Sequence, residues 1–172
     1  TAASTNSDAG VSNNSNQFFR GSTSGANGYF FNTRIGLPDA SYTNTRIYIG
    51  MTSQTTVNSL GSDDPNGHRS GFTYSTTRGD TGWRFTTRDG TTESLSSTVL
   101  SFIAGKVYDI YIYVPPQGTT IYYRIDNITD STSAEGSATT NLPDGNTAMR
   151  GSIGITTTNA VSRNIRMQRM YI

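Results

Sequence analysis

The fold is decided by residues 106–126, KVYDIYIYVPPQGTTIYYRID, where two strand-forming runs flank a turn. The first run, 107–114, is rich in Tyr, Ile and Val and is apolar on nearly both faces, as expected of a central strand. Residues 115–118, PPQG, end this run, because proline cannot donate to a sheet and glycine favours turns. In the second run, Ile and Tyr recur at alternate positions from 121 to 125. The segment therefore predicts an antiparallel hairpin.

The same two-residue period recurs along the chain. Ile47, Ile49 and Met51 fall on one face of residues 45–51. Asp89-Gly90 lies between two strand-like runs and is a strong hairpin signal. No window has a helical period. We expect roughly ten to twelve short strands, which predicts an all-β fold: an antiparallel two-sheet sandwich or jelly roll.

Composition narrows the classes of partner. The formal net charge is +1 and charged residues make up only 15%, so no nucleic acid or anionic membrane is expected as a partner. No stretch approaches the ~20 apolar residues of a membrane-spanning helix, so no membrane insertion is predicted. The chain has no cysteine, which excludes disulfides, thiolate chemistry and cysteine-based zinc sites.

The 172 residues predict one folded unit with an N-terminal extension. Residues 1–16, TAASTNSDAGVSNNSN, contain one Val and no aromatic residue, too little apolar surface to order themselves. We interpret 1–16 as a flexible arm or linker that joins the domain to other proteins on its N-terminal side. Residues 17–172 are expected to form a single β-sandwich domain.

The sequence contains no strong motif for a catalytic site. Glycoside hydrolysis needs two carboxyl groups facing each other, and the chain's two glutamates, Glu93 and Glu135, are far apart in polar sequence. His68 is the single histidine, and no G-x-S-x-G elbow accompanies it, so a Ser-His-Asp arrangement is disfavoured. We predict that the protein is not an enzyme.

The loop 62–68, SDDPNGH, is the richest candidate for binding. Asp63, Asp64 and Asn66 carry hard oxygen ligands of the kind that Ca²⁺ prefers, although the spacing does not match an EF-hand loop. The same carboxylates and amide are suited to sugar hydroxyl groups. Asx-rich loops are also common as plain turns, so calcium is the weaker interpretation and no other cofactor is expected.

Two features follow this loop. Arg78-Gly79-Asp80 spells an integrin-recognition tripeptide, but it falls where two strands need a tight turn, and the turn is the simpler explanation. Trp83 is either a core anchor or an exposed platform for a sugar ring, and its alternation with Phe85 favours the core. The candidate ligand-binding residues are Asp63, Asp64, Asn66, His68, Arg69, Arg78 and Trp83.

A family resemblance covers about three-quarters of the chain, from Arg46 onward. It is carried by these segments: 46–53 (RIYIGMTS), 62–65 (SDDP) with His68, 71–75 (GFTYS), 79–83 (GDTGW), 89–90 (DG), 122–126 (YYRID), 141–143 (NLP), 153–156 (IGIT) and 165–167 (IRM). In these the chain resembles concanavalin-like, laminin-G-like jelly-roll domains of phage tail fibres and other virion surface proteins. The family usually has Asp-Gly where this chain has Asp126-Asn127, so its usual turn is not expected there.

The resemblance implies a module displayed on the virion surface, extracellular when displayed, often as a homotrimer at a fibre tip or capsid surface. It implies recognition of host-surface carbohydrate. The alternative is a structural capsid fibre or decoration protein that only assembles. Fold-level analogy is a weak basis for choosing between these functions.

Overall fold

The computed structural model describes residues 7–22, 27–55 and 62–172. These residues contain eleven strands and no helix long and apolar enough to cross a membrane. The strands are β1 (Ser7–Ser12), β2 (Tyr29–Gly36), β3 (Thr45–Thr52), β4 (Gly67–Ser75), β5 (Gly82–Gly90), β6 (Glu93–Ser101), β7 (Val107–Val114), β8 (Ile121–Asn127), β9 (Thr132–Ala138), β10 (Arg150–Thr157) and β11 (Arg166–Tyr171).

The strands form two antiparallel sheets, which confirms the predicted two-sheet sandwich. The six-stranded sheet has the order β1-β10-β3-β4-β5-β6. The five-stranded sheet has the order β11-β2-β7-β8-β9. The hairpin predicted at 106–126 is β7 paired with β8, with Tyr113 opposite Tyr122 and Ile110 opposite Ile125.

The core lies between the two sheets and is built from alternate residues of their strands. Ile47, Ile49 and Met51 are fully buried on one face of β3, as their spacing predicts. Trp83 is also fully buried, and its ring packs against Phe102 and Tyr108 at centroid distances of 5.0 and 5.6 Å. Trp83 is therefore a core anchor, and its inclusion among the surface ligand-binding residues was wrong.

The N-terminal segment differs from the expected arm. Residues 7–12 form β1 and pair with β10, with Ser7 opposite Thr157 and Ser12 opposite Ser152. Backbone hydrogen bonds to an existing strand edge order a segment that has few apolar side chains of its own. Ala9 also packs against the core. The prediction of a flexible 1–16 arm is corrected for these residues, while 1–6 lie outside the described residues.

Candidate functional site

The structure places the predicted loop acids against the outer face of the six-stranded sheet. Arg69 of β4 and Arg88 of β5 are directly opposite each other, and their side chains are almost completely buried. Asp64 lies between them: its Oδ1 accepts hydrogen bonds from Arg69 Nη2 and Arg88 Nη1, both at 2.6 Å. Arg69 also donates to Glu93 Oε1 at 2.6 Å and to the Pro65 carbonyl at 2.6 Å. The loop is thus fastened directly to β4 and β5, and Glu93 of β6 shares the Arg69 guanidinium.

Asp63 is held in the same way. Its Oδ1 accepts from Arg46 Nε at 2.8 Å and from Thr77 Oγ1 at 2.8 Å, and Ser75 Oγ donates to it as well. Burial acts to raise the pKa of Asp63, but the hydrogen bonds from Ser75, Arg46 and Thr77 together hold that pKa below its ordinary value. The carboxylate therefore stays ionised and committed to groups within the chain.

These ion pairs leave few carboxylate oxygens free to bind a calcium ion. The carboxylates of Asp63 and Asp64 already face guanidinium groups, so their charge is compensated. Asn66 is exposed and its backbone carbonyl accepts a hydrogen bond from Gln54 Nε2 at 2.6 Å. Within residues 7–22, 27–55 and 62–172, no three His, Cys, Asp or Glu side chains are grouped to hold a metal. The loop fits a structural clamp better than an ion site.

Of the remaining sequence candidates, Arg78 adjoins the loop, since its Nη1 donates to the Asp63 backbone carbonyl at 3.2 Å. Arg78 pairs with Asp80 at 2.5 Å, and the Asp80 carboxylate is almost fully buried and accepts from the Ser75 amide, so this tripeptide is a turn. Gly79 has φ of +78°, which suits glycine. His68 lies in β4, on the opposite face of the strand from Arg69. Its Nδ1 accepts a hydrogen bond from the backbone amide of Asp144 at 3.1 Å. Arg78 therefore belongs to the same hydrogen-bonded cluster as Asp63, whereas His68 lies on the other face of β4.

An exposed row of aromatic side chains lies instead on the outer face of the five-stranded sheet. Phe30 of β2 is directly opposite Tyr113 of β7, which is directly opposite Tyr122 of β8. Their exposed fractions are 50%, 46% and 50%. The Tyr113 and Tyr122 rings are 6.3 Å apart and inclined by 25°. We call Phe30, Tyr113 and Tyr122 the aromatic row.

Polar groups border the aromatic row on β8 and β9. Arg124 follows Tyr122 on the same face of β8 and lies opposite Glu135 of β9, with Nη1 and Oε2 3.8 Å apart. The outward residue of β9 opposite Tyr122 is Ser137, which is small. As a result, a depression of about 390 Å³ opens beside Tyr122, and Tyr113, Arg124, Glu135 and Ser137 help to line it.

The charges of this face compensate one another. Its ion-paired residues are Arg34, Arg124, Arg169, Asp109, Asp126 and Glu135. A further cation, Arg166 of β11, is exposed opposite Gly36, at the other end of β2 from Phe30. Arg34 binds Asp109 through two hydrogen bonds of 2.6 and 2.5 Å, and these lower the pKa of Asp109 against the opposing effect of burial. Burial raises the pKa of Tyr111, and the neighbouring Asp109 charge raises it further. Each acid has an arginine partner.

Sequence reasoning missed this face, although β7 carried a signal for it. Asp109, Tyr111 and Tyr113 occupy alternate positions, and so do Tyr122 and Arg124. Because a charged residue marks the outward face of a strand, its alternate neighbours are expected to be exposed too. The apolar character of both faces of β7 concealed that pattern.

Comparison with known proteins identifies the fold class. No protein-family model matches the sequence, and no curated protein matches it. Solved structures match across nearly the whole chain, and together they define a lectin-like, concanavalin-like jelly-roll sandwich.

Three of these structures show the range of proteins that share this fold. Peanut lectin with a 9mer peptide has a TM-score of 0.63 and 12% identity, over 99% of this chain and 81% of that one. The CBM2 module of the evolved Dit of Lactobacillus casei BL23 phage J-1 has a TM-score of 0.56 and 14% identity, over 99% and 72%. A family 7 alginate lyase, A1-II′ in complex with substrate, has a TM-score of 0.52 and 9% identity, over 92% and 63%. At these identities the likeness shows the fold alone, and lectins and lyases share it.

Proposed function

We propose that this chain is a non-catalytic carbohydrate-binding domain that holds its ligand on the outer face of the five-stranded sheet. The aromatic row carries the proposal. Phe30, Tyr113 and Tyr122 are half exposed although each has a large apolar ring, and they lie side by side on three adjacent strands. Aromatic rings of this kind offer broad apolar contact at low entropic cost and suit the apolar faces of sugar rings.

The border of the aromatic row supplies the polar half of such a site. Arg124 offers donors, Glu135 offers acceptors and the Ser137 hydroxyl offers both, which matches the mixed character of sugar hydroxyl groups. The depression of about 390 Å³ is within the range of small-molecule sites. Lectins and the phage CBM2 module have the same fold, which is consistent with a sugar ligand.

Catalysis is disfavoured by the protonation chemistry of this face. A general base works best with a pKa near the working pH. The pKa of Asp109 is lowered by Arg34, and the pKa of Tyr111 is raised by burial, so both groups are moved away from neutrality. His68 belongs to the other sheet. At 9% identity the likeness to the alginate lyase shows the fold alone.

We further propose that the domain is displayed on a phage-like virion surface, in the manner of a tail-fibre receptor-binding domain, and recognises host-surface glycans. The motif resemblance from Arg46 onward and the shared fold of the phage J-1 module support this proposal. A homotrimer attached to other virion proteins through its N-terminal side is the assembly that the resemblance favours. The second candidate is a capsid fibre or decoration protein that only assembles.

The aromatic row discriminates between these candidates. An assembly protein would bury the row against another subunit, and permanent interfaces are large and mostly apolar. Here the row consists of three rings bordered by paired charges, which suits a small polar ligand better. Light scattering tests the alternative: Tyr113→Ala would dissociate an oligomer that is built on this face, whereas it leaves the oligomeric state unchanged if the face binds sugar.

The direct test is a glycan array followed by calorimetric titration of the best ligand. We expect Tyr113→Ala and Tyr122→Ala each to weaken binding at least fivefold, as is typical of a central aromatic contact. Tyr171→Ala is the control, because Tyr171 is exposed, at 62%, on the same sheet but lies opposite Asn32 and so outside the line of the aromatic row. The absence of binding across a broad array, or equal losses in all three variants, would refute the proposal.

A further inference from the structure

The geometry points to an uncharged, extended oligosaccharide as the ligand, lying across the strands along the aromatic row and contacting at least three sugar units. This inference rests on the proposed carbohydrate-binding function. It adds the class of glycan, its direction on the sheet and the number of units that contribute to affinity. A compact site for one terminal sugar is the alternative that it excludes.

The direction follows from the strand register. Ser137, Tyr122, Tyr113 and Phe30 are successive cross-strand partners on β9, β8, β7 and β2. They span three strand spacings of about 4.8 Å, or about 14 Å in all. A six-membered sugar ring is about as wide as a phenol ring, so each aromatic residue can carry one unit. Successive units of an extended chain therefore lie on successive strands.

The shape of the face supports the same direction. On β9 the residue in line with the row is Ser137, and β9 is the edge strand of the five-stranded sheet. No bulky side chain of β9 therefore blocks a chain that enters over this edge. The polar residues Tyr111 and Arg124 lie one step further along their strands, beside the row. They can bind hydroxyl groups along one side of the chain while the rings stack beneath it.

The preference for uncharged sugars follows from the ion pairs. Recognition of a uronate or another acidic sugar normally requires a cation free to pair with it. Arg124 donates to Asp126 at 2.8 Å and faces Glu135, while Arg34 and Arg169 pair with Asp109. The exposed Arg166 lies opposite Gly36, at the other end of β2 from Phe30 and away from the row. Glu135 is three-quarters exposed and lies at the depression, so its negative charge would repel an acidic chain.

The test is titration with two matched series of oligosaccharides, each from one to six units long. One series consists of uncharged hexoses, with the sugar type chosen from the array, and the other of uronates. We expect affinity for the uncharged series to rise at least tenfold between one and three units and then to level off. We expect the uronates to bind at least tenfold more weakly at every length.

Single substitutions in the aromatic row show which aromatic ring contacts which sugar unit. Phe30 lies at the end of the row, so Phe30→Ala should remove the last increment, giving the longer chains the affinity of a chain one unit shorter. Tyr122→Ala should weaken binding at all lengths above one, and Tyr171→Ala should match the unaltered protein. Circular dichroism spectra confirm that each variant is folded.

The possible failures are separable. If no oligosaccharide of either series binds, the proposed function is wrong and this inference falls with it. If a single sugar binds as tightly as six units, carbohydrate binding stands and the extended chain is refuted. If the uronates bind more tightly, the uncharged ligand is refuted.

Discussion

Replacing Asp64 with alanine removes the carboxylate that links β4 to β5 through Arg69 and Arg88. Both arginine side chains are nearly buried, at 4% and 8% exposure, whereas the Asp64 side chain is 46% exposed. Arg69 keeps Glu93 as a partner, but Arg88 loses the one carboxylate that it contacts among the described residues. An exposed pair is worth ~0–1 kcal/mol, and a buried cation left without its partner costs ~3–5 kcal/mol. For this half-exposed case we expect a loss of about 1–3 kcal/mol in the free energy of unfolding.

The assay is urea unfolding of four proteins: the unaltered chain, Asp64→Ala, Arg88→Met and the double variant. In thermal unfolding of the same proteins, at about 2–4 °C per kcal/mol, the melting temperature of Asp64→Ala should fall by about 2–12 °C. The double variant should recover much of this loss, because methionine leaves no unpaired charge in the clamp. Glycan affinity should be unchanged in all four proteins, since the clamp and the aromatic row lie on different sheets.

Two results would refute this reasoning. If Asp64→Ala is as stable as the unaltered protein, the loop is not a structural clamp. If Asp64→Ala folds normally but loses its ligand, the binding site lies at the loop, as the sequence suggested, and not on the five-stranded sheet.

Three further predictions test the fold and its ionisation. Trp83→Ala should lower the free energy of unfolding by about 3–5 kcal/mol, because it empties the core, and an unchanged urea midpoint would contradict the packing. Calcium chloride or EDTA should leave the melting temperature unchanged, since Asp63 and Asp64 are already paired with arginines. A rise in the melting temperature with calcium would support a calcium site in this loop. Hydrogen bonds from the backbone amide of Thr92 and its neighbour lower the pKa of Asp89 to about 2. The stability that Asp89 contributes is therefore complete above about pH 4 and lost as the pH falls towards 2, so Asp89→Asn should weaken the acid dependence of the urea midpoint.

Local patterns in the sequence were sufficient for the type of fold. Alternation at Ile47, Ile49 and Met51 gave the inward face of β3, and the turn at 115–118 gave the β7–β8 hairpin. The order of strands was not accessible in the same way. β10 lies between β1 and β3 in the sheet although it is distant from both in the chain, and no local signal encodes such a pairing.

The site was harder to predict because it depends on cross-strand register. Asp63 and Asp64 look like free ligands in the sequence, but pairing of β4 with β5 sets Arg69 beside Arg88 and creates a local need for a counter-charge. In the same way, an aromatic row exists only when three separate strands are aligned. A sequence shows which residues share a face of one strand, and the sheet decides which of them become neighbours.

The pairing of β1 with β10 also affects how the protein is made. Ser7 and Thr157 are 150 positions apart, yet they are partners at one edge of the six-stranded sheet. A ribosome adds about 5–20 residues per second, so the first strand waits roughly 7–30 s before its partner has been synthesised. During that time the edge of the growing sheet is incomplete, and the segment must stay unpaired without sticking to other chains. Its abundance of serine, with a single valine and no ring, is suited to that wait.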